Sequence, residues 1–261
     1  MAETTHVLWT GGWDSTYRML ALLSWTDEDI QPHYVIDPAR TSSAIEIETM
    51  ESLRAAIGAV RPEWEGRIRQ LITRRVPDIP ADAEIDAALD HIRAEGYLGQ
   101  QYGWLARYVK ACEVGRMDLC IESTDTAGSR LSDRIYPVSG VRPPNYALAT
   151  GDDALHTVFC WFSFPLIYAD KNSMEVDIDQ RGLWGIMCRT WFCHQPVFGR
   201  YACGTCRPCV YVMNKRQTWR MGYLGLTRFY LIEKPKRILP RNFKSFLRRS
   251  AGNRVKRFIR S

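Results

Sequence analysis

The most constraining feature of the chain is a short apolar strand that leads through two glycines into a helix. Residues 6–9 are largely apolar, Gly11 and Gly12 follow closely, and residues 17–23 have the composition of a helix. A strand, a Gly-rich turn and a helix are the first half of a βαβ unit. A second apolar strand is predicted at residues 33–37, and its natural closure is parallel pairing with the first. The sequence therefore predicts an α/β fold with a parallel sheet.

The middle of the chain has a helical pattern. It extends from Ser42 to about Gly115, and Asp82 is placed to cap a helix that continues through Glu95. One apolar stripe with spacings of three and four is expected to pack on the sheet. Its members are Tyr97, Leu98, Gln101, Trp104, Leu105, Tyr108, Val109 and Cys112.

Short apolar runs predict further strands at residues 119–121 and 157–162. The segment between them includes residues 139–153, which are rich in proline, glycine and asparagine. This composition predicts a surface loop near the ends of the strands.

Charge is distributed unevenly along the chain. The net charge is +6, yet residues 234–261 hold eleven Lys and Arg residues and no acidic residue, so the preceding residues sum to −5. No apolar run is long enough to span a bilayer, and the start of the sequence has no basic region followed by a long apolar run. These features argue against a transmembrane span and a secretory signal, and they favour a cytoplasmic protein.

The two glycines of the turn allow a positive φ and let the backbone approach an anion, while the helix N-terminus adds positive partial charge. A phosphate group is the expected ligand. Thr10, Ser15 and Thr16 supply hydroxyl groups, and Asp14 is placed either to hold the turn together or to reach a bound Mg²⁺. A tight strand–helix turn without a ligand is the alternative. The spacing fits neither the Walker A nor the dinucleotide-binding pattern.

Residues 10–16 read TGGWDST, and this string resembles the SGGxDS pyrophosphate loop of the PP-loop, or N-type, ATP pyrophosphatases. The resemblance implies a doubly wound parallel sheet of the adenine nucleotide alpha hydrolase-like kind. It also implies the activity of the family, which splits ATP into AMP and pyrophosphate with Mg²⁺. It implies catalytic roles for Asp14, Ser15 and Lys171, the last as a charge partner of the α-phosphate or of a substrate carboxylate. The implied nucleotide contacts are Thr10, Gly11, Gly12, Asp14, Ser15, Thr16 and Asp37.

Five of the eight cysteines crowd into one short segment. Four of them form one cysteine followed by a CxxCxxC run, namely Cys193, Cys203, Cys206 and Cys209. Four thiolates are a donor set that Zn²⁺ prefers, and a structural zinc knuckle is the preferred interpretation over disulfides in a long chain without a secretory signal. An iron–sulfur cluster is the main alternative. Cys188 and His194 are alternatives for the fourth ligand.

A cysteine followed ten residues later by CGxCxxC resembles the 7-cyano-7-deazaguanine synthases of queuosine biosynthesis, a branch of the same superfamily. Residues 164–171 resemble the segment that precedes the zinc site in that branch. The resemblance implies an AMP-forming C–N ligase, in which a substrate carboxylate attacks the α-phosphate of ATP. Ammonia then displaces AMP to give an amide or, after a second round, a nitrile. The relatives are commonly dimeric, so a homodimer is expected.

This organisation divides the chain into segments with different expected roles. They are an ATP-binding α/β domain at 1–187 with a helical insertion at about 60–115, a Cys-rich zinc-binding segment at 188–220 and a basic amphipathic tail at 234–261. The apolar residues of the tail recur near helical spacing. They are Phe243, Phe246, Leu247, Ala251, Val255, Phe258 and Ile259.

The basic tail and the cysteines are also compatible with functions other than that of a C–N ligase. A basic amphipathic tail would contact nucleic acid, an anionic membrane surface or an acidic protein, and a solvated chain end is the alternative. PP-loop enzymes that deliver sulfur to tRNA also use cysteines and basic surfaces. A nucleotide-binding module of a larger complex would keep the same Gly-rich turn.

Overall fold

The computed structural model describes part of the chain, namely residues 4–122, 125–138, 143–215 and 217–238. Most of the predicted basic tail, from residue 239 onward, lies outside the described residues. The same holds for residues 139–142 of the predicted loop.

The strands are β1 (Thr4–Leu8), β2 (Asp29–Ile36), β3 (Ile72–Arg75), β4 (Met117–Asp118), β5 (Ile135–Pro137), β6 (Tyr146–Leu148) and β7 (Phe162–Ser163). The first helices are α1 (Trp13–Trp25), α2 (Ser43–Val60), α3 (Pro62–Glu65), α4 (Ala83–Glu95), α5 (Gln101–Cys112) and α6 (Thr126–Leu131). The later ones are α7 (Ala154–Phe159), α8 (Lys171–Gln180), α9 (Trp184–Met187), α10 (Arg207–Asn214), α11 (Gly222–Arg228) and α12 (Lys234–Ile238). A π-helical turn at Phe229–Glu233 joins α11 to α12.

The described strands form one sheet with the order β3-β2-β1-β4-β7-β6-β5. The first five in this order pair in parallel, whereas β6 and β5 add an antiparallel edge. The strand order reverses at β1, because the chain builds outward through β2 to β3 and then returns to β4 on the other side of β1. The prediction of an α/β fold with a mostly parallel sheet is thus confirmed. In such sheets, ligands bind beyond the carboxyl ends of the strands at the point of reversal.

Helices supply apolar side chains to both faces of the sheet. Val7 and Leu8, successive residues of β1, belong to different buried clusters, as the two-residue period of a strand requires. The cluster of Val7 contains apolar residues of α1, α2, α8 and α9. The cluster of Leu8 contains those of α4, α5, α6 and α7. A parallel sheet is normally covered on both faces in this way.

The structure corrects several predicted elements. The helical pattern at residues 42–115 is broken by β3, a parallel strand whose four residues are all exposed and give no apolar signal. The run at 157–162, predicted as a strand, begins within α7 at residues 157–159 and reaches a strand only at its last residue, Phe162 of β7, because a short apolar run fits a buried helix as well as a buried strand. The strand predicted at 119–121 is displaced, because the observed strand β4 lies just before it at Met117–Asp118. The loop predicted at 139–153 contains β6.

Two helix predictions are confirmed. Asp82 caps α4 by accepting a hydrogen bond from the amide of Ile85 at 3.1 Å, and α4 ends at Glu95. The apolar stripe lies mostly on α5, where residues such as Tyr108 and Val109 are buried. Tyr97 is an exception to the stripe, since it precedes the helix and is 70% exposed.

The chain divides into two compact units, residues 1–191 and residues 192–261. The sheet and its helices α1 to α9 belong to the first unit, and α10 to α12 belong to the second. Among the described residues, no helix combines the length and the apolar character needed to cross a membrane.

Candidate functional site

The Gly-rich turn connects the carboxyl end of β1 to the N-terminus of α1. Gly11 has a φ of +66°, a left-handed conformation that glycine adopts without strain. A Cβ atom at Gly11 would lie 3.2 Å from side-chain atoms of Thr49 and Met50 on α2, so these side chains would have to move slightly to admit a larger residue. α1 begins at Trp13 with Gly12 as its N-cap, a residue without a side chain to cap the helix. The positive end of the helix dipole therefore meets the turn directly.

Two hydroxyl groups lie within the turn. Ser15 Oγ is 3.3 Å from both the amide nitrogen and Oγ1 of Thr10, and the amide of Gly12 donates to Thr10 Oγ1 at 3.4 Å. These distances exceed those of strong hydrogen bonds. Thr10 is exposed and Ser15 is 6% exposed. The turn thus gathers several donors for which an incoming anion is the stronger acceptor.

Lys171 reaches this turn from a distant part of the sequence. Its Nζ lies 2.7 Å from Asp14 Oδ1 and 3.7 Å from Glu122 Oε1. Lys171 is the first residue of α8, and the carboxylate of Asp170 caps that helix by accepting from the amide of Ser173 at 2.9 Å. The cap fixes where α8 begins and hence where Lys171 lies. The structure thereby brings together Asp14 and Lys171, two of the predicted catalytic residues.

Glu122 is a further acidic residue of this site that was not predicted, although the sequence contains a signal for it. Glu122 follows β4 closely, and the ends of β1 and β4 are neighbours in the sheet. An acidic residue directly after a predicted strand at 119–121 is the pattern that would have found it. Its side chain is 11% exposed, and its Oε1 is the atom that faces Lys171 Nζ.

A buried ion pair joins α1 to β4 across the same point of reversal. Arg18 Nε donates to Asp118 Oδ2 at 2.7 Å, and Asn145 Nδ2 donates to Asp118 Oδ1 at 2.9 Å. The side chains of Arg18 and Asp118 are 2% and 3% exposed. This pair fixes α1, and with it the turn, relative to β4.

Two of the predicted nucleotide contacts, Thr16 and Asp37, form hydrogen bonds within the protein. Thr16 is fully buried and its Oγ1 accepts a hydrogen bond from the indole of Trp9 at 3.1 Å, so its hydroxyl does not line the open side of the turn. Asp37 directly follows β2, at the same edge of the sheet as the turn. Its Oδ1 accepts from the amide of Ala39 at 2.9 Å, and its Oδ2 lies 3.9 Å from Nε of Arg40. These contacts stabilise the turn between β2 and α2.

A cavity of about 590 Å³ opens beside α1, α8 and the residues that flank β7. Its lining includes Arg18, Trp25, Tyr146, Tyr168 and Arg181. The described lining contains none of the seven predicted nucleotide contacts. The cavity is therefore a feature separate from the Gly-rich turn.

The second unit contains a group of four cysteine sulfurs, all within 4.8 Å of one another, from Cys193, Cys203, Cys206 and Cys209. The Sγ–Sγ distances are 3.8 Å between Cys203 and Cys209, 3.9 Å between Cys193 and Cys206, and 3.4 Å between Cys206 and Cys209. Tetrahedral Zn²⁺ with bonds of about 2.3 Å would separate its sulfurs by about 3.8 Å. The four sulfurs therefore fit one tetrahedral metal ion. Cys188 is not part of the group.

Backbone amides surround these sulfurs. The amide of Cys203 donates to Cys193 Sγ at 3.2 Å, and the amides of Thr205 and Cys206 donate to Cys203 Sγ at 3.4 and 3.2 Å. The thiol of Cys193 lowers the pKa of Cys206 through a hydrogen bond, and the backbone of His194 contributes in the same direction. Hydrogen bonds of this kind stabilise thiolates, the form that binds metal.

Comparison with known proteins does not add to this picture, since no protein-family model and no curated protein matches the chain. The functional assignment therefore depends on two features of the fold. One is the turn at the end of β1 with Lys171 beside it, and the other is the four-sulfur group.

Proposed function

We propose that the chain is an ATP-dependent, AMP-forming C–N ligase of the PP-loop type, similar to the 7-cyano-7-deazaguanine synthases. One observation supports this most strongly. The Gly-rich turn follows β1, the strand at which the order of the sheet reverses, and Lys171 Nζ lies there 2.7 Å from Asp14. Donors from a helix N-terminus and a cation at such a point suit a chain of phosphate groups.

In this proposal the β- and γ-phosphates bind at the turn. The hydroxyls of Thr10 and Ser15 and the amides at the start of α1 donate hydrogen bonds to them. Negative charge grows on pyrophosphate as it leaves, and donors that are already in place stabilise that charge without rearrangement. The buried pair of Arg18 and Asp118 keeps these donors in position because it ties α1 to the sheet.

Lys171 neutralises either the α-phosphate or the incoming carboxylate, and Asp14 and Glu122 hold its ammonium group ready. A carboxylate oxygen attacks the α-phosphorus, the bond to the bridging oxygen breaks, and pyrophosphate leaves with that electron pair. Ammonia then attacks the acyl carbon, loses a proton and displaces AMP, which leaves an amide. Mg²⁺, when bound, would share in neutralising the phosphates, and Asp14 and Glu122 are the carboxylates suited to hold it.

The four-sulfur group is assigned to a structural Zn²⁺. All four positions of the tetrahedron are filled by cysteine, which leaves no open position for a water molecule or a substrate. An iron–sulfur cluster contains several irons and would hold some of its cysteine sulfurs farther apart than the 4.8 Å within which all four lie here. Elemental analysis of the purified chain is expected to find one zinc per chain and no iron.

The enzymatic proposal is tested by incubating the chain with Mg·ATP, ammonia and a panel of carboxylates, and by measuring AMP and pyrophosphate. Asp14→Ala and Ser15→Ala are expected to lower the rate of AMP formation by at least about a hundredfold. Ser15→Ala removes a hydrogen bond to the leaving pyrophosphate, and Asp14→Ala removes the carboxylate that holds Lys171. Ser24→Ala is the matched control, since Ser24 lies on the same helix and its hydroxyl donates to the Leu20 carbonyl at 2.7 Å, away from the turn. All variants should keep their zinc.

Equal amounts of AMP and pyrophosphate with one carboxylate, lost in both variants, would support the proposal. Wild-type turnover in both variants would contradict it. Release of AMP in the presence of tRNA, but with no carboxylate of the panel, would favour a tRNA-modifying enzyme instead. Turnover of ATP to ADP would exclude the proposed reaction.

A further inference from the structure

Charge divides at the boundary between the two compact units. Residues 192–261 hold 17 Lys and Arg residues and one acidic residue, Glu233, whereas residues 1–191 hold 18 basic and 28 acidic residues. The second unit thus carries a charge of +16 and the first −10. Such a concentration of one sign opposes compaction through self-repulsion, and it attracts an anionic partner. The described basic residues of the second unit include Arg200, Arg207, Lys215, Arg220, Arg228, Lys234 and Lys236.

The four-sulfur group holds a helix in place within this unit. Helices α11 and α12 and the π-helical turn between them run without a break over residues 222–238. A Cβ atom at Gly204 would lie 2.2 Å from the carbonyl oxygen of Gly225, so the cysteine loop and the helix meet backbone to backbone. Arg228 Nε also donates to the carbonyl of Cys203 at 2.9 Å. One side of the helix is therefore fixed against the metal-binding loop.

The other side of this helix exposes large apolar groups. Tyr223 is 93% exposed, Tyr230 is 50% exposed and Leu231 is 73% exposed. Tyr230 lies in the π-helical turn and Lys234 is the first residue of α12, and their side chains are in contact. The ammonium group of Lys234 lies 4.9 Å from the centre of the Tyr230 ring. The solvent-exposed surface of the helix therefore combines apolar side chains with positive charge.

A tight turn forms a second apolar projection. Val197 pairs with Tyr201 across it, and Phe198 at its tip is 87% exposed. Phe198 has a φ of +52°, a conformation that is costly for a bulky residue. Tyr201 is half-exposed, and Arg200 precedes it. An exposed phenylalanine in a strained conformation does not stabilise the unit. Its position therefore indicates a site that contacts a binding partner.

We propose that the second unit binds the surface of an anionic lipid bilayer. Phe198, Tyr223 and Leu231 enter the interface, and the surrounding Lys and Arg residues contact the headgroups. Aromatic rings and basic side chains are the residues that membrane interfaces favour. The sequence of residues 239–261 continues the same combination of Phe, Leu and Ile with Lys and Arg.

A single-stranded nucleic acid would also use positive charge and exposed rings. The observations favour lipid because Leu231 and Ile232, both aliphatic and exposed, offer no ring on which a base could stack. Transfer of aliphatic surface from water into lipid lowers the free energy, whereas contact with phosphates and bases does not bury such surface in the same way. The inference is independent of the proposed enzymatic function, since all of its residues lie in the second unit.

The test measures sedimentation of the full chain with vesicles of phosphatidylcholine alone and of phosphatidylcholine mixed with phosphatidylglycerol. Binding to the anionic vesicles is expected to be at least about tenfold tighter. Tyr223→Ser with Leu231→Ser should weaken it about tenfold or more, because the charge is unchanged but the inserted apolar surface is lost. Val60→Ser with Tyr97→Ser is the matched control, since it removes similarly exposed side chains from the first unit.

Phe198→Ser gives an independent variant at the second projection, and zinc content checks that each variant keeps its metal-binding loop. Tighter binding to anionic vesicles that both sets of variants weaken would support the proposal. Vesicle binding that neither set of variants changes would show adhesion by charge alone and would overturn it. Absence of vesicle binding, or tighter binding to a single-stranded oligonucleotide that Leu231→Ser leaves unchanged, would also overturn it.

Discussion

Charged side chains from distant parts of the chain meet where the strand order reverses. Lys171 and Asp14 are 157 residues apart in sequence, and Arg18 and Asp118 are 100 apart, yet both pairs are in contact at 2.7 Å. The first pair keeps some exposure, 15% for Lys171 and 30% for Asp14, and is suited to bind a charged substrate. The second is almost completely buried and keeps α1 in register with β4.

The buried pair makes a testable prediction at this scale. Asp118→Ala is expected to lower the free energy of unfolding by about 3–5 kcal/mol, because the guanidinium of Arg18 would stay buried without its counter-charge. Asp29→Ala is the matched control. Its exposed pair with Arg69, at 3.1 Å, should contribute only about 0–1 kcal/mol. Urea denaturation measures both values.

A double variant separates charge from packing. Arg18→Met with Asp118→Leu should recover most of the stability that Asp118→Ala loses, because apolar residues of similar size replace buried ion pairs at little cost. Equal destabilisation by Asp29→Ala and Asp118→Ala would contradict the assignment of a buried pair.

In the second unit, the cysteine loop packs against helix α11 where Gly204 of the loop meets Gly225 of the helix. Gly204 has a φ of +75° and its Cβ position is occupied by the Gly225 carbonyl and the amide nitrogen of Phe229, at 2.2 and 2.9 Å. Gly222 has a similar φ of +66°, but nothing lies within 4 Å of its Cβ position. The two glycines share the conformational requirement and differ in the space around them.

This difference allows a controlled prediction. Gly222→Ala should cost about 1–2 kcal/mol of stability from backbone strain alone and should leave zinc affinity unchanged. Gly204→Ala should additionally force α11 away from the cysteine loop and weaken zinc binding by at least about tenfold. Competition with a chromogenic chelator measures the affinity. Equal zinc affinity in the two variants would show that the helix and the loop are not coupled.

Local chemistry explains which elements were predictable from the sequence. The strand, Gly-rich turn and helix at residues 6–23, and the cap that Asp82 gives α4, were found because each has a short-range signature. The grouping of four cysteines that could hold a metal ion was predictable for the same reason, since a CxxCxxC spacing is local. β3 was missed because ITRR has exposed side chains and only its backbone pairing makes it a strand.

The candidate site was predictable in part. Asp14 and Lys171 were identified by resemblance, and their contact at 2.7 Å could not have been derived from spacing. Arg18 and Asn145 were not predicted, because their roles depend on which strand lies beside β1. That order is a property of the whole sheet and has no local signature.

The whole molecule combines two units of opposite charge. The first unit, at −10, carries the sheet and the Gly-rich turn, and the second, at +16, carries the four-sulfur group and the exposed aromatic residues. The sequence showed the basic excess only at residues 234–261. The structure extends it to residue 192, because the compact unit that contains the cysteines also includes residues 192–233, which hold six Lys and Arg residues and one acidic residue.

The central claim is that a substrate carboxylate attacks the α-phosphate of ATP at the end of β1. The most direct measurement uses the panel of carboxylates after exchange of their oxygens for oxygen-18, with Mg·ATP and ammonia, and determines the mass of the AMP released. If the carboxylate attacks phosphorus and ammonia then displaces AMP, one labelled oxygen must remain on AMP. AMP that carries one oxygen-18 atom is the predicted result. AMP without label, or ADP and phosphate in place of AMP and pyrophosphate, would contradict the claim.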